Sequence, residues 1–281
     1  MLPFHQRRDR TGTQAHTVIQ AERGEIAVID KNDADYFGHA SRTNTLNINS
    51  KYASHLIYMT NQIAVKAVLF DIDGTLIDSN DAHTQAWVQT LQRHGRPVAY
   101  EQIRSLIGKG SDKVFAELLG IDSDSALAKQ ITKDRTQLLL SSFIPNLEPT
   151  PGARLLVQRM KSEGLRLVIA SSSGEELPAL LAQAGLADLL DTAVSPDEAK
   201  ESKPDGDIIE VALRKAGVQP GEAVMVGDTP YDIAAAKAAG VRCIAVRCGG
   251  YWDDAALSEA AAIFDDPATL LRHWADSPLA V

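Results

Sequence analysis

The chain has 281 residues, 44% of them hydrophobic, and a formal net charge of −9, which allows a sizeable core and more than one domain. The acidic balance disfavours non-specific binding to nucleic acid or anionic membranes. The two cysteines, Cys243 and Cys248, have no zinc-site company and imply no disulfide framework; no apolar run has membrane-span length and the first residues lack a signal core, so the expected location is cytoplasmic.

Residues 1–60 mix charged and polar types without a sustained period. His5, His16, His39 and His55 stand among polar neighbours and read as solvated. One weak apolar patch, Glu25 to Asp30, is a candidate strand. The segment is expected to be a disordered extension, because ordering it would not repay a backbone entropy of roughly 1–2 kcal/mol per residue. Translation starting at Met59 would leave a short polar lead into the next strand, so residues 1–58 are expected to be dispensable. The competing reading is an arm that covers a sheet edge or a partner subunit through Ile26 to Ile29.

Val65 to Phe70 is apolar and β-branched, a buried strand. Asp71-Ile72-Asp73-Gly74-Thr75 follows at its carboxyl end, where open α/β sheets bind ligands. Two carboxylates this close repel unless a cation or a proton intervenes. A metal on one and a proton on the other would make a nucleophile beside a general acid; an Asx turn is the plainer alternative. From Asn80 to about Ile144 the apolar spacing is helical, with stripes at Ala82, Ala86, Trp87 and Leu91, then Ile103, Leu106 and Ile107, then Val114, Phe115, Leu118 and Leu119. A longer helix is predicted from Leu127 to Phe143. Pro145 to Gly152 reads as a return. Strands are predicted near 165–170, 191–194, 223–227, 241–246 and 261–264, alternating with helices. That order predicts an α/β fold, a doubly wound parallel sheet of Rossmann-like type with an inserted helical domain.

Three further pieces follow the first aspartates in order. Ser171 ends the strand near 165–170, Lys203-Pro204 precedes a helical stretch, and Gly227-Asp228-Thr229-Pro230-Tyr231-Asp232 leaves the strand near 223–227. Each has a structural alternative. Ser171 could cap a helix near Glu175, Lys203 could be a solvated loop charge, and Asp228 could be a turn residue. Together, the four motifs resemble those of the haloacid dehalogenase-like hydrolase superfamily over about residues 62–275. The resemblance implies a core at 61–78 and 149–281 and a type 1 helical cap at 79–148. It implies a phosphomonoesterase with Asp71 as nucleophile, forming an aspartyl-phosphate, and Asp73 as acid and base. Ser171 and Lys203 would bind the phosphoryl group. Mg²⁺ would be held by Asp71, the carbonyl of Asp73 and Asp228, with Asp232 a ligand or a partner of one. Asp71, Asp228 and Asp232 then carry minus three against plus three from Mg²⁺ and Lys203, with Asp73 protonated. One departure is the absence of the second proline that often follows the Lys-Pro pair; Asp205-Gly206-Asp207 stands there.

Within the cap, Asp78 to Trp87 resembles the entrance of the β-phosphoglucomutase-like branch, which carries a histidine where this chain has His83. Lys109 between Gly108 and Gly110 is a candidate contact for an anionic leaving group. Exposed helix surface for His83, and a turn with Ser111 capping the next helix, are the plainer alternatives. Gly249-Gly250-Tyr251-Trp252 could line the same mouth. The leading expectation is hydrolysis of a small phosphorylated metabolite, with no nucleic-acid or membrane partner; the substrate and the oligomeric state stay open. The alternative is a sugar-phosphate mutase like β-phosphoglucomutase. Against it, Gly227-Asp228-Thr229 replaces the Glu-Asp-Ser of that branch, and Ser111 stands near the position of its cap arginine. Asp73 speaks against a dehalogenase, and the complete motif set against a binding module on an inactive fold.

Overall fold

The computed structural model describes residues 16–20, 26–30, 64–194 and 198–280. The chain divides into two compact units, residues 1–59 and 60–281. In the first, β1 (His16–Gln20) pairs antiparallel with β2 (Ile26–Asp30), Val18 opposite Val28. Ile26–Asp30 of the predicted patch is thus a strand, paired to a second one that the polar sequence around it conceals. The rest of the extension, including Met59, lies outside the described residues.

In the second unit six parallel strands form one sheet in the order β5-β4-β3-β6-β7-β8. They are β3 (Ala67–Phe70), β4 (Arg166–Ile169), β5 (Thr192–Ala193), β6 (Ala223–Gly227), β7 (Arg242–Val246) and β8 (Ala262–Phe264). All five pairings are parallel. Because strand side chains alternate between faces, Val68 and Phe70 join one apolar cluster with Leu167, Ile169, Val224 and Val226. Ala67 and Leu69 join the opposite one with Val168 and Met225. Burial on both faces explains why these strands read as continuous apolar runs. The chain leaves β3 toward β4 on one side and later returns to β6 on the other. The carboxyl ends of β3 and β6 therefore flank the switch point at which such sheets take ligands.

Between β3 and β4 come α1 (Asn80–Arg93), α2 (Tyr100–Arg104), α3 (Ser111–Leu119), α4 (Ala126–Leu138) and α5 (Ala153–Ser162). The predicted helix from Leu127 to Phe143 changes pitch: α4 runs into a π-helical turn at Leu139–Phe143 and a 3₁₀ turn at Ile144–Asn146. Most of the predicted stripe residues meet in an apolar cluster of their own, with Trp87, Leu91, Ile103 and Phe115 buried in it beside Ile131, whereas Ala86 joins the core cluster. Trp87 packs edge-on against Phe115 at 5.3 Å between ring centres. Helices α6 (Leu177–Gln183), α7 (Asp207–Ala216), α8 (Pro230–Ala238) and α9 (Pro267–Arg272) complete the wound core. Among the described residues no helix is long and apolar enough to cross a membrane.

Leu69 is fully buried on the central strand. Leu69→Ala should cost about 2–5 kcal/mol through lost burial and the cavity left behind. Denaturant unfolding measures it, and a loss below about 1 kcal/mol would mean the strand is not central to the core.

Candidate active site

The main chain of Asp71 still follows the ladder, its N–H donating to the Val226 carbonyl at 2.9 Å, so its side chain leaves the sheet in a fixed direction. Lys203 stands beside it with no exposed surface. Its Nζ donates to Asp71 Oδ1 at 2.5 Å and to Asp232 Oδ1 at 2.7 Å. The other oxygen of Asp232 belongs to a helix cap. Thr229 N–H and Thr229 Oγ1 both donate to Asp232 Oδ2, at 3.1 and 2.6 Å. Thr229 and Asp232 thus form a capping box at the start of α8, which favours a negative charge at that end of the helix.

Asp228 completes the group. Its Oδ1 accepts from Thr75 Oγ1 at 3.2 Å and its Oδ2 from Asn80 Nδ2 at 2.8 Å. One oxygen each of Asp71, Asp228 and Asp232 lie within 4.8 Å of one another, all three residues buried. Glycines make this crowding possible. A Cβ on Gly227 would meet Asp232 Cγ at 2.5 Å, and one on Gly249 would meet Asp228 Oδ2 at 1.8 Å.

The charges do not balance without help. Three carboxylates face one lysine, a deficit of two. Burial drives the Asp71 carboxyl well above the carboxylate range; Lys203 pulls it down, and the charges of Asp232, Asp228 and Asp73 add to the rise. Burial and the neighbouring Asp232 push Asp228 up to about 7, against hydrogen bonds from Asn80 and Thr75. Burial alone would discharge Lys203, but Asp232 and Asp71 keep it protonated. The three carboxylates could hold a divalent cation that would supply the missing charge, carboxylate oxygens being the ligands that Mg²⁺ and Ca²⁺ take. Asn80 Oδ1 is buried with no hydrogen-bond partner among the described residues, which leaves an acceptor for a water carried by such an ion.

Asp73 differs from expectation. Burial raises its carboxyl, but His83, Ser173 and Ser79 outweigh that and hold it well below the carboxylate range. Ser79 Oγ donates to Asp73 Oδ1 and Ser173 Oγ to Asp73 Oδ2, each at 2.5 Å. His83 Nε2 lies 2.8 Å from Oδ1. The hydroxyls of Ser79 and Ser173 thus favour the carboxylate form of Asp73, whereas burial favours the protonated form of Asp71 and Asp228.

Asp71 and Asp73 open onto a cavity of about 840 Å³ that His83, Lys109, Arg135 and Ser171 also line. Ser171 does not cap a helix; its Oγ accepts from Ser173 N–H at 3.2 Å, and α6 begins only at Leu177. Ser172 Oγ, in the same wall, is buried without a partner among the described residues. Lys203, Asp228 and Asp232 lie beneath, not in the wall. Lys109 reaches the cavity, but its Nζ is bonded to Glu117 at 2.7 Å and lies over the Tyr231 ring at 4.8 Å. Ser111 is the first residue of α3 rather than its cap, which is Gly110. Gly249 acts through its carbonyl, which accepts from Asn80 at 3.2 Å and from Arg104.

Sequence reasoning missed Thr75, Asn80, Arg104, Arg135 and Glu176. Thr75 and Asn80 adjoin the first motif, and Glu176 follows the Ser171 loop, so proximity in sequence marked them faintly. Arg104 and Arg135 sit on helices among other charged residues, and no spacing sets them apart.

A parallel sheet with paired aspartates at a switch point, a buried lysine and a three-carboxylate cluster defines a hydrolase-type site of the doubly wound class. Residues 65–240 match the model of the haloacid dehalogenase-like hydrolases. A phosphoglycolate phosphatase of Rhodospirillum rubrum is 33% identical over 76% of this chain and 92% of its own. The fructose-1-phosphate phosphatase YqaB of Escherichia coli is 29% identical over 64% of this chain and 95% of its own. The crystal structure of CbbY from Rhodobacter sphaeroides in complex with phosphate superimposes with a TM-score of 0.63, at 27% identity over 73% of this chain and 96% of its own. The chain belongs to the haloacid dehalogenase-like hydrolase family.

A carboxyl whose pKa is higher folded than unfolded binds more protons in the folded state, so stability falls as pH rises between the two values. With a chelator present, the melting temperature should therefore fall between about pH 4 and 7 as Asp228, whose carboxyl is pushed up to about 7, ionises. Mg²⁺ replaces the lost proton, so the Mg²⁺-induced rise in melting temperature should grow over the same window. A Mg²⁺ increment independent of pH would count against the cluster as the cation site.

Proposed function

We infer that the chain is a Mg²⁺-dependent phosphomonoester hydrolase for a small organic phosphate, working through an aspartyl-phosphate on Asp71. The observation that carries this reading is the pairing of Asp71 and Asp73 in one cavity wall above a buried cluster lacking two positive charges. Asp71, Asp228 and the main-chain carbonyl of Asp73 are the ligand candidates, with Asp232 held back by its cap and by Lys203. When bound there, Mg²⁺ supplies charge neutralisation and orientation of the phosphoryl oxygens.

The side chains supply the rest. Asp71 Oδ attacks phosphorus and the ester oxygen leaves. Lys203 has two of its three donors on Asp71 and Asp232, leaving one N–H for a phosphoryl oxygen. Ser171, with Ser172 beside it, offers hydroxyls to the others. An incoming phosphate raises the negative charge near Asp73 and so raises its proton affinity. Asp73, once it has taken a proton from solvent as the substrate binds, hands it to the leaving oxygen and, ionised again, takes one from the water that hydrolyses the intermediate. His83 and Lys109 are the candidates for discriminating leaving groups. The names of the relatives suggest phosphoglycolate and fructose 1-phosphate as first substrates to try.

A panel of phosphorylated metabolites with Mg²⁺ tests the reading. Release of inorganic phosphate is expected; conversion to an isomeric sugar phosphate without release would favour the mutase, and no turnover on any ester would end it. Asp71→Asn should lower kcat by at least about 10³-fold with the fold retained, since an amide cannot form the acyl phosphate. A loss of less than about tenfold would remove Asp71 as nucleophile.

A further inference from the structure

Behind Asp73 runs a line of buried side chains that the reaction above leaves unused. Glu176 Oε1 accepts from Arg135 Nη2 at 2.8 Å. Arg135 Nη1 lies 3.2 Å from His83 Nδ1. His83 Nε2 lies 2.8 Å from Asp73 Oδ1, off the alignment of an ideal hydrogen bond. The intermediate members have almost no contact with water: Glu176 is 1% exposed, His83 6% and Arg135 8%. The guanidinium also lies over the Trp87 ring, 5.0 Å from its centre. His83 is on α1 and Arg135 on α4, both in the inserted helices, whereas Asp73 and Glu176 follow β3 and β4 in the sheet core.

Donor arithmetic gives this line a direction. Arginine has donors only and stays charged. A ring nitrogen at hydrogen-bond distance from it must accept, so His83 Nδ1 carries no proton. His83 is then neutral with its proton on Nε2, the nitrogen facing Asp73. A neutral imidazole without such a neighbour is free to carry its proton on either nitrogen. Arg135 in turn needs Glu176, because a buried guanidinium without a counter-charge is strongly unfavourable.

We propose that Glu176 and Arg135 are positioning residues for Asp73: the pair fixes His83 as the Nε2–H tautomer and so aims a third donor at the Asp73 carboxylate. Two of the three links cross between the inserted helices and the core, so the donor reaches Asp73 only when those helices lie against the sheet. Ser79 already holds Oδ1 and Ser173 Oδ2, and a turn of the His83 ring would bring its Nε2–H onto Oδ1 as well, fixing the carboxylate plane for proton transfer. Off-axis contacts of this kind commonly tighten only once substrate is bound. The proposal rests on Asp73 being the proton-transfer group of the proposed phosphatase.

The test reads the tautomer and the chemistry separately. In ¹⁵N NMR of Mg²⁺-loaded protein labelled at the imidazole nitrogens, with His83 assigned by its loss in His83→Gln, the wild type should show protonated Nε2 and bare Nδ1. Glu176→Gln should blur or invert that pattern. The same variant should lower kcat on an alkyl phosphate about tenfold or more, within the 10²–10⁴ typical of acid–base catalysis. On p-nitrophenyl phosphate, whose leaving group needs no proton, kcat should change by less than about threefold, and KM should hold on both. Arg135→Gln should act the same way and stands in if Glu176→Gln does not fold. A wild-type His83 protonated on Nδ1 or on both nitrogens overturns the proposal. So does an equal loss on both substrates, or a rise in KM alone, which would make Arg135 a contact for a substrate anion. If the wild type cleaves no phosphate ester, the functional reading fails, and the NMR result still decides whether the pair sets the tautomer.

Discussion

One ammonium group between two carboxylates organises this molecule. Lys203 joins the end of β3, through Asp71, to the start of α8, through Asp232. Three chain segments far apart in sequence are thereby pinned at one point below the cavity. Burying such ions is expensive and is repaid only where geometry and hydrogen bonding are good. Here the geometry comes from elsewhere: the strand ladder directs Asp71, and the capping box directs Asp232. Removing any member would leave a buried charge without its partner, so the cluster demands all of its parts.

The same crowding leaves the cluster short of positive charge. Asp228 enters a space already holding two carboxylates, and only Lys203 and neutral donors oppose them. Thr75 and Asn80 ease its charge without cancelling it. A proton can fill the gap at low pH and a divalent ion at higher pH. Gly227 and Gly249 matter because a methyl group at either place would occupy the space of a carboxylate. The site is thus built by exclusion of side-chain bulk as much as by the acids themselves.

Above the cluster, the inserted helices touch the core through polar links. Tyr231 Oη donates to the Ser105 carbonyl at 2.6 Å, and Lys113 meets Glu201 at 2.6 Å and Asp205 at 3.1 Å on the segment leading to and past Lys203. Most of their apolar side chains pack among themselves, while Ala86 on α1 and Leu139 and Ile144 after α4 join the apolar cluster of the core. Two bodies with largely separate cores can part and close more readily than two halves of one core. Such an arrangement suits chemistry held on rigid strand ends with discrimination in the covering helices.

The amino-acid sequence determined the strands, their order of alternation with helices, and the residues of the cluster. Buried parallel strands need unbroken apolar runs, and acids that follow such runs stand out against them. The capping box was present as Thr229 and Asp232 at the required spacing. The antiparallel partner of β2 was not legible, because polar surroundings gave His16–Gln20 no apolar period. Only tertiary structure brought polar groups onto Asp73, since Ser79 and His83 at the start of α1 and Ser173 after β4 converge on it from two segments. The link from Glu176 through Arg135 to His83 was equally beyond reach. It depends on side chains 41 and 52 positions apart, and whether a charged residue on a helix faces water or a buried partner is set by what packs against it, not by its own spacing.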